Sequence, residues 1–462
     1  MTMQVSLISP ASRAINHYRP PLALMYLSGY LKQNGIDTKI IDVIIPDQIR
    51  DKKFIQQEEK YIEDVENKII KEVMSIDTDI VGITCYTPEL DEVERLARRI
   101  KSIKKEVKIV VGGTHPTFYP SDFIKEDSFF DFAVIGEGEL TFLELVKAIR
   151  SENKEYAKVA GITFFDSNQK KMVTTGTQCL EESLDSISFP DYDDIDMEFY
   201  TTASPYAIRG VFTRSFYILS SRGCPSSCSF CVAKKLRDYH GIKKFVRLRS
   251  PESLINEIKH LRETYKIDSF YFIDDLFALK KENVYKFCEL MKENKLPLVW
   301  GCSSKVNTVN YEVLEAMRDA GCVQIDFGVE KGSDEALKIL KKGITVARIR
   351  KTFSHCRDLG IRTFANMLIN TPGEMEKDLD DIVSLVQEIK PNIVSFNIFA
   401  PYPGCEIYEQ RCQNLSREDY PRLMNAALFL DTMPEKFRFA SHDVDLLKWA
   451  TAANRKYNNQ IS

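Results

Sequence analysis

Residues 215–231 read SFYILSSRGCPSSCSFC. The aromatic and β-branched run SFYIL carries no charge and reads as a strand buried on both faces. Gly223 closes it, and Cys224, Cys228 and Cys231 follow within eight residues. In a parallel sheet, a loop after a strand lies at the strand's carboxyl end, where such folds keep their sites. The same pattern recurs downstream: SFYFIDD from Ser269, LVWGCSSKV from Leu298, VQIDFGVE from Val323, IRTFANMLI from Ile361 and NIVSFNIFAPYPG from Asn392, with helical stretches between. Six successive βα units predict a complete or partial barrel whose active site lies at the strands' C-terminal ends.

Three cysteines on one loop can wrap a compact metal centre. Zinc asks for a fourth ligand, usually from a second knuckle. His240 stands nine residues past Cys231, and the chain has no second Cys-x-x-Cys. The alternatives are a zinc knuckle completed by His240 or a remote cysteine, three ordinary loop cysteines, or an iron–sulfur cluster. A cluster held by three thiolates leaves one iron open to a small molecule and is the more economical reading.

The 150 residues at the front alternate apolar runs with amphipathic stretches. QVSLISP from Gln4, DTKIIDV from Asp37, DIVGITC from Asp79, VKIVVGG from Val107 and DFAVIGEG from Asp131 read as buried parallel strands. Helical patterns separate them, the first running from Leu22 to a stop at Gly35. An open, doubly wound sheet follows from this alternation. GITFF from Gly161 and KKMVTT from Lys170 predict a hairpin, and the acidic, aromatic stretch at 186–200 a linker. The expected division is 1–152 for a Rossmann-like domain, 153–213 for hairpin and linker, 214–404 for the barrel and 405–462 for a helical tail.

The chain has 462 residues, 44% hydrophobic and 28% charged, with 63 basic against 67 acidic side chains and a net charge of −4. That balance suits two to four globular domains and excludes a general nucleic-acid or membrane-surface binder. No apolar run reaches the ~18 residues of a membrane span. Eleven cysteines, an odd count, and no leader-like start argue against disulfides and for a reducing, cytoplasmic setting. Cys85, Cys288, Cys302, Cys322 and Cys356 fall in apolar elements and are expected to be buried; Cys179, Cys405 and Cys412 fall in turns or tail, Cys405 beside the sixth strand's end. The tail aromatics Phe429, Phe437, Phe439 and Trp449 are expected to cover the barrel's open side, chiefly as packing.

Cys-x3-Cys-x2-Cys with Phe230 just before the third cysteine resembles the signature of radical S-adenosylmethionine (SAM) enzymes. YFIDDLF at 271–277, GVEKGS at 328–333, MLINTPGE at 367–374 and PYPG at 401–404 are similar to the barrel segments of the subgroup carrying an N-terminal cobalamin-binding domain. With the sheet in front, the resemblance spans about residues 1–405. It implies a [4Fe-4S] cluster on Cys224, Cys228 and Cys231, and SAM chelated to the fourth iron. One electron would release a 5′-deoxyadenosyl radical, and methylcobalamin, remade from a second SAM, would supply a methyl group. The implied reaction is methylation of an unactivated carbon or phosphorus centre of a small molecule or lipid. A cyclisation or rearrangement with the same cofactors is the alternative within the class, and a zinc-stabilised binding or sensor protein the remote one. A one-electron reductant such as flavodoxin or ferredoxin is an implied partner.

On that resemblance the SAM-binding candidates are Phe230 and the strand-end charges Asp274, Asp275, Lys305 and Glu330. Alternation turns only one of two adjacent carboxylates inward, so at most one of Asp274 and Asp275 is expected to touch the ligand. The cobalamin candidates are the glycine-rich strand ends Gly112, Gly113 and His115, then Gly136, Glu137 and Gly138, where backbone amides and helix N-termini can approach a bulky phosphate-bearing ligand. The same glycines suit ordinary tight βα turns. The Asp-x-His-x-x-Gly motif of the best-known cobalamin domains is absent. His17 lacks its flanking residues, which leaves the cobalt's lower ligand open rather than cobalamin binding itself.

Overall fold

The computed structural model describes residues 4–11, 19–49, 58–203, 207–240, 246–412, 415–419 and 435–458. His17 and Phe429 lie outside them. The first sheet contains β1 (Gln4–Ser9), β2 (Asp37–Asp42), β3 (Ile80–Thr84), β4 (Lys108–Gly112), β5 (Phe132–Val134) and the hairpin strands β6 (Ile162–Asp166) and β7 (Lys171–Thr174), in the order β2-β1-β3-β4-β5-β6-β7. The first five are parallel. The hairpin adds antiparallel to β5, so it continues this sheet as its edge. Period-two alternation sorts the strand side chains onto two faces. Val5, Leu7, Ile40, Ile80 and Val110 pack on one side; Ile8, Ile41, Val81, Ile109 and Val111 pack on the other. Strand order reverses between β1 and β3, which places a crevice at their carboxyl ends. Gly35 ends helix Leu22–Gln33 at φ 75°, as its position after the apolar stripe requires.

The second sheet is open and wholly parallel, in the order β15-β14-β13-β12-β11-β8. Its strands are β8 (Ser215–Ile218), β11 (Ser269–Phe272), β12 (Val299–Ser304), β13 (Cys322–Glu330), β14 (Arg362–Ile369) and β15 (Ile393–Ile398). They are the six runs expected from sequence, in order. A separate antiparallel pair, β9 (Ser221–Arg222) and β10 (Arg247–Leu248), ties the two ends of the cysteine segment together. The following helices begin on short polar caps. Ser250, Asn310, Ser333 and Thr345 each accept from a backbone N–H three residues on. One apolar core runs from the first sheet through Tyr192, Ile195 and Phe199 of the linker to Phe216, Phe270 and Trp300 of the second.

The tail closes the β15 edge. Helix Leu446–Asn458 packs against that strand, with Phe396 edge-on to Trp449 at 5.4 Å between ring centres. Asn454 accepts from the Phe396 N–H at 2.9 Å and donates to its carbonyl at 3.2 Å. Asn458 does the same for Val394 at 3.1 and 2.8 Å. Two side-chain amides one helical turn apart therefore stand in for a seventh strand. Phe437 is buried and Phe439 meets Phe399 at 5.9 Å, so these tail aromatics act in packing.

Candidate cofactor site between the two sheets

The cysteine loop leaves β9 at the carboxyl ends of the second sheet and enters helix Ala233–His240. Arg237 of that helix reaches back to the Pro225 carbonyl at 2.8 Å and the Ser227 hydroxyl at 2.9 Å. Ser229 donates its N–H to the Leu340 carbonyl and accepts from the Ile407 N–H, at 3.0 and 3.1 Å. These bonds fix the backbone and leave the thiols available. Cys224 and Cys231 are partly exposed and Cys228 is buried, all three without a disulfide. Burial pushes the Cys228 thiol up, while the ammonium groups of Lys342 and Lys305 pull it down. Burial pushes Cys231 up to about 11, opposed by the Ala233 N–H. The two lysines offset burial only in part, so the Cys228 thiol stays above its ordinary value.

Among the described residues, no three His, Cys, Asp or Glu side chains gather around one ion-sized point. A zinc ion needs its thiolates within ~2.3 Å of a single centre. A four-iron cluster gives each thiolate an iron of its own, and the donor set of three loop thiols fits it.

Of the proposed SAM residues, the structure brings Lys305 and Glu330 to the loop. Lys305 donates to the Ser226 hydroxyl at 3.0 Å, and burial together with Lys342 lowers its pKa. Glu330 sits at φ 68° beside a bulge in β13 and accepts from Lys342 at 2.8 Å. A methyl group on Gly328 would stand 2.5 Å from the Glu330 carboxylate and 2.6 Å from the Lys342 ammonium, so glycine keeps the space this pair occupies. Lys342 also lies 5.6 Å from the centre of the Phe230 ring, which packs beside Leu340 and Tyr408 as the loop's wall. Lys342 was not singled out from sequence: it stands twelve residues past Glu330 in a run of charge that reads as a solvated turn.

The aspartate pair divides as alternation requires. Asp274 is buried and accepts from the Ser220 and Ser221 N–H groups at 2.7 and 3.0 Å and from the Ser220 hydroxyl. It braces the turn ahead of the cysteines, and burial pushes its carboxyl up to about 6 against those donors. Asp275 is exposed at the mouth, where partial desolvation by the surrounding walls raises its carboxyl. Of the two, only Asp275 is open to a ligand. Cys405, near the mouth in sequence, is fully buried, and its sulfur accepts from the Tyr408 N–H at 3.4 Å as a helix cap.

The front candidates separate as well. Gly112 meets nothing nearer than Val134 at 3.8 Å and Gly138 nothing nearer than Leu27 at 3.8 Å, so a bulky ligand can approach both. A side chain at Gly113 would strike the Cys85 carbonyl at 2.8 Å, and one at Gly136 would strike His240 at 2.8 Å; both positions are closed by protein. His115 is buried, its ring between the Thr87 hydroxyl at 3.0 Å and Asp122 at 2.9 Å. Glu137 turns toward the second sheet, accepting from Arg222 at 2.8 Å and from Arg247. Glu139 accepts from Arg222 at 2.5 Å. Burial raises the Glu139 carboxyl, and Arg222 outweighs it to hold the group below its ordinary value. Arg222 is two residues ahead of Cys224, so the strand-end loop of the first sheet is bolted to the root of the cysteine loop. The sequence offered no pattern for this link.

No described helix is long and apolar enough to cross a membrane. The B12 binding domain family matches residues 11–146, and the Radical SAM superfamily residues 218–386. An uncharacterized methyltransferase of Pyrococcus horikoshii is 30% identical over 418 residues, 89% of this chain and 84% of that protein. The anaerobic magnesium-protoporphyrin IX monomethyl ester cyclase of Rubrivivax gelatinosus is 27% identical across 85% of this chain, which spans 66% of the cyclase. Cytidylyl-2-hydroxyethylphosphonate methyltransferase of Streptomyces wedmorensis is 24% identical across 88% of this chain and 81% of its own length. The fold is that of the radical SAM methyltransferase TsrM from Kitasatospora setae, at TM-score 0.68 and 19% identity over 88% of this chain and 76% of that one. It is also that of the cobalamin-dependent radical enzyme OxsB, at TM-score 0.68 and 18% identity over 100% of this chain and 62% of that one. A [4Fe-4S] cluster, SAM and cobalamin are the cofactors of this architecture. The chain belongs to the radical SAM superfamily, among the members whose radical SAM domain follows a B12-binding domain.

Proposed function

We propose that this protein is a methyltransferase that methylates an unactivated carbon, or a phosphorus centre, of a small molecule or lipid. The observation that carries the reading is the Arg222–Glu137–Glu139 bridge, which sets the carboxyl ends of the first sheet against the cysteine loop of the second. A substrate between them faces both cofactor sites at once. Cys224, Cys228 and Cys231 would hold the cluster; Asp275, Lys305 and the Glu330–Lys342 pair would meet the charged groups of SAM; Gly112 and Gly138 would admit cobalamin. When bound, the cluster and SAM supply a radical for hydrogen abstraction, and cobalamin supplies the methyl group. The chain's own part is to orient. Asp274 braces the turn that aims the loop, Lys342 pairs with Glu330 at the mouth, and Phe230 walls the loop against the tail. A one-electron reductant such as flavodoxin or ferredoxin, met in the cytoplasm, completes the scheme.

The cyclase relatives support a second reading, a radical cyclisation or rearrangement without methyl transfer. Product analysis with candidate substrates separates the two. The methyltransferase forms S-adenosylhomocysteine and 5′-deoxyadenosine together; 5′-deoxyadenosine without S-adenosylhomocysteine overturns it in favour of the second. Cys228→Ala is expected to abolish 5′-deoxyadenosine formation and the iron–sulfur absorbance.

A further inference from the structure

The inner face of the second sheet is polar where a packed barrel interior would be bulky and branched. Parallel register sets Tyr217, Tyr271, Gly301, Gln324 and Arg362 side by side in one row across β8, β11, β12, β13 and β14. Ser303, Asp326 and Phe364 form the next row toward the mouth. Asp275 stands four residues beyond Tyr271, so the first row lies roughly 13 Å beneath the cofactor site. Two side chains enter this face from outside the sheet. Arg209, from the linker ahead of β8, lies over the Phe364 ring at 4.0 Å and brings Nε to 3.5 Å from Asp326. Arg19, from the loop after β1 of the first sheet, stands 6.0 Å from the centre of the Tyr217 ring.

Guanidinium groups from the two halves of the protein thus converge on one phenol. Burial raises the Tyr217 hydroxyl, and Arg19 and Arg209 are the cations that oppose it. The charge on this face is unbalanced. Asp326 is the one carboxylate in the two rows and already accepts from Gln324 at 2.8 Å; burial pushes it up, against Arg209. Arg362 adds a third guanidinium in the first row, its Nη2 3.5 Å from the space a Gly210 side chain would take and its Nη1 buried without a hydrogen-bond partner. Arg209 keeps 41% of its side chain exposed and Arg19 is exposed, although each lies against an aromatic ring of the inner face. Among the described residues, neither Nη atom of Arg209 donates to protein, and Arg19 makes no ion pair. Two planar forks with donors to spare, beside hydroxyls that can also donate, are recognition groups for an oxyanion, which arginine holds bidentately.

We propose that Arg19 and Arg209 form a clamp for an oxyanion on the substrate, so that the enzyme takes a carboxylate- or phosphoryl-bearing molecule, anchored on the inner face with its reacting atom toward the mouth. The inference rests on the proposed reading only in placing a substrate between the two sheets, and it is the same for methyl transfer and for rearrangement. The test is isothermal titration calorimetry of the full-length protein, reconstituted with cluster and cobalamin, against hexanoate, hexylphosphonate and the neutral hexanamide. At least one of the two acids should bind about tenfold more tightly than hexanamide, and the acid that does so names the oxyanion. Arg209→Gln and Arg19→Gln should each weaken that acid roughly tenfold, the loss of one charge-assisted contact, with hexanamide unchanged and part of the loss restored by Arg209→Lys. Arg350→Gln, on helix Val346–Asp358 with Glu388 as its partner, should leave all three affinities as they are. Both clamp arginines are exposed, so their variants should retain the parent's iron and cobalt contents; where Arg209→Gln does not, Arg19→Gln decides alone. Acids bound no better than hexanamide, or bound equally by the parent and either folded glutamine variant, overturn the clamp. Product analysis reads methyl transfer separately, so either proposal can fail without the other.

Discussion

Arg222 donates to Glu139 at 2.5 Å across the boundary between the two sheets, and the next residue but one is the first cysteine of the loop. The pair is nearly closed to water, with Glu137 and Arg247 on its flank. Breaking one partner of such a pair leaves a charge stranded. Arg222→Met should destabilise the protein by about 3 kcal/mol in urea unfolding. It should also lower iron content after reconstitution while cobalamin binding is less affected, because the arginine belongs to the cysteine side.

Asp274 makes stability depend on pH. Its carboxyl titrates near 3.8 in an open chain and at about 6 in the fold, because burial disfavours the charge. Between those values the folded protein binds the proton and the unfolded chain releases it, so this group's contribution falls as pH climbs through the window and levels off above it. The difference across the window is about 3 kcal/mol. Urea midpoints between about pH 4 and 6 should slope downward with rising pH from this term, and Asp274→Asn should flatten that slope. An unchanged slope in the variant would remove Asp274 as its source.

Gly328→Ala adds one carbon where Glu330 and Lys342 meet. Overpacking of this kind costs about 1–3 kcal/mol. The larger expected effect is on SAM, whose dissociation constant should rise by an order of magnitude in equilibrium dialysis as the pair is pushed from the mouth. Gly176, where a side chain meets nothing within 4 Å and the backbone is not left-handed, supplies the neutral comparison for added bulk.

Asn454→Ala and Asn458→Ala each remove two hydrogen bonds from the β15 edge. A cost of about 1–2 kcal/mol apiece is expected, less than additive when combined. Amide hydrogen exchange at Val394 and Phe396 reads the effect directly, since each loses its acceptor. Faster exchange confined to those two amides would establish the asparagines as the edge's partners.

Much of the architecture was legible because burial imposes a pattern. Uncharged strands flanked by amphipathic stretches can only be covered on both faces, and Gly35 stops a helix for a steric reason visible in one letter. The three cysteines declared themselves by spacing, and the alternation of Asp274 and Asp275 foretold that one would turn away. What stayed hidden depends on residues brought together from far apart. Lys342 meets Glu330 because a bulge in β13 redirects the chain, and no periodicity encodes a bulge. His115 looked as ready for a ligand as any loop histidine, yet Thr87 and Asp122 close around it. Asn454 and Asn458 went unnoticed, because a polar pair at i,i+4 spacing on a helix reads as solvated until the strand beside it is known.

The shared apolar core has a consequence for how this protein can change. Tyr192, Ile195 and Phe199 belong to one buried core with residues of both sheets, so neither half carries a finished surface of its own. Exchanging the front half for that of a distant relative would leave mismatched hydrophobic faces and an unanswered Arg222. The two halves therefore form one buried unit, and a change in the linker core between them is felt in both sheets.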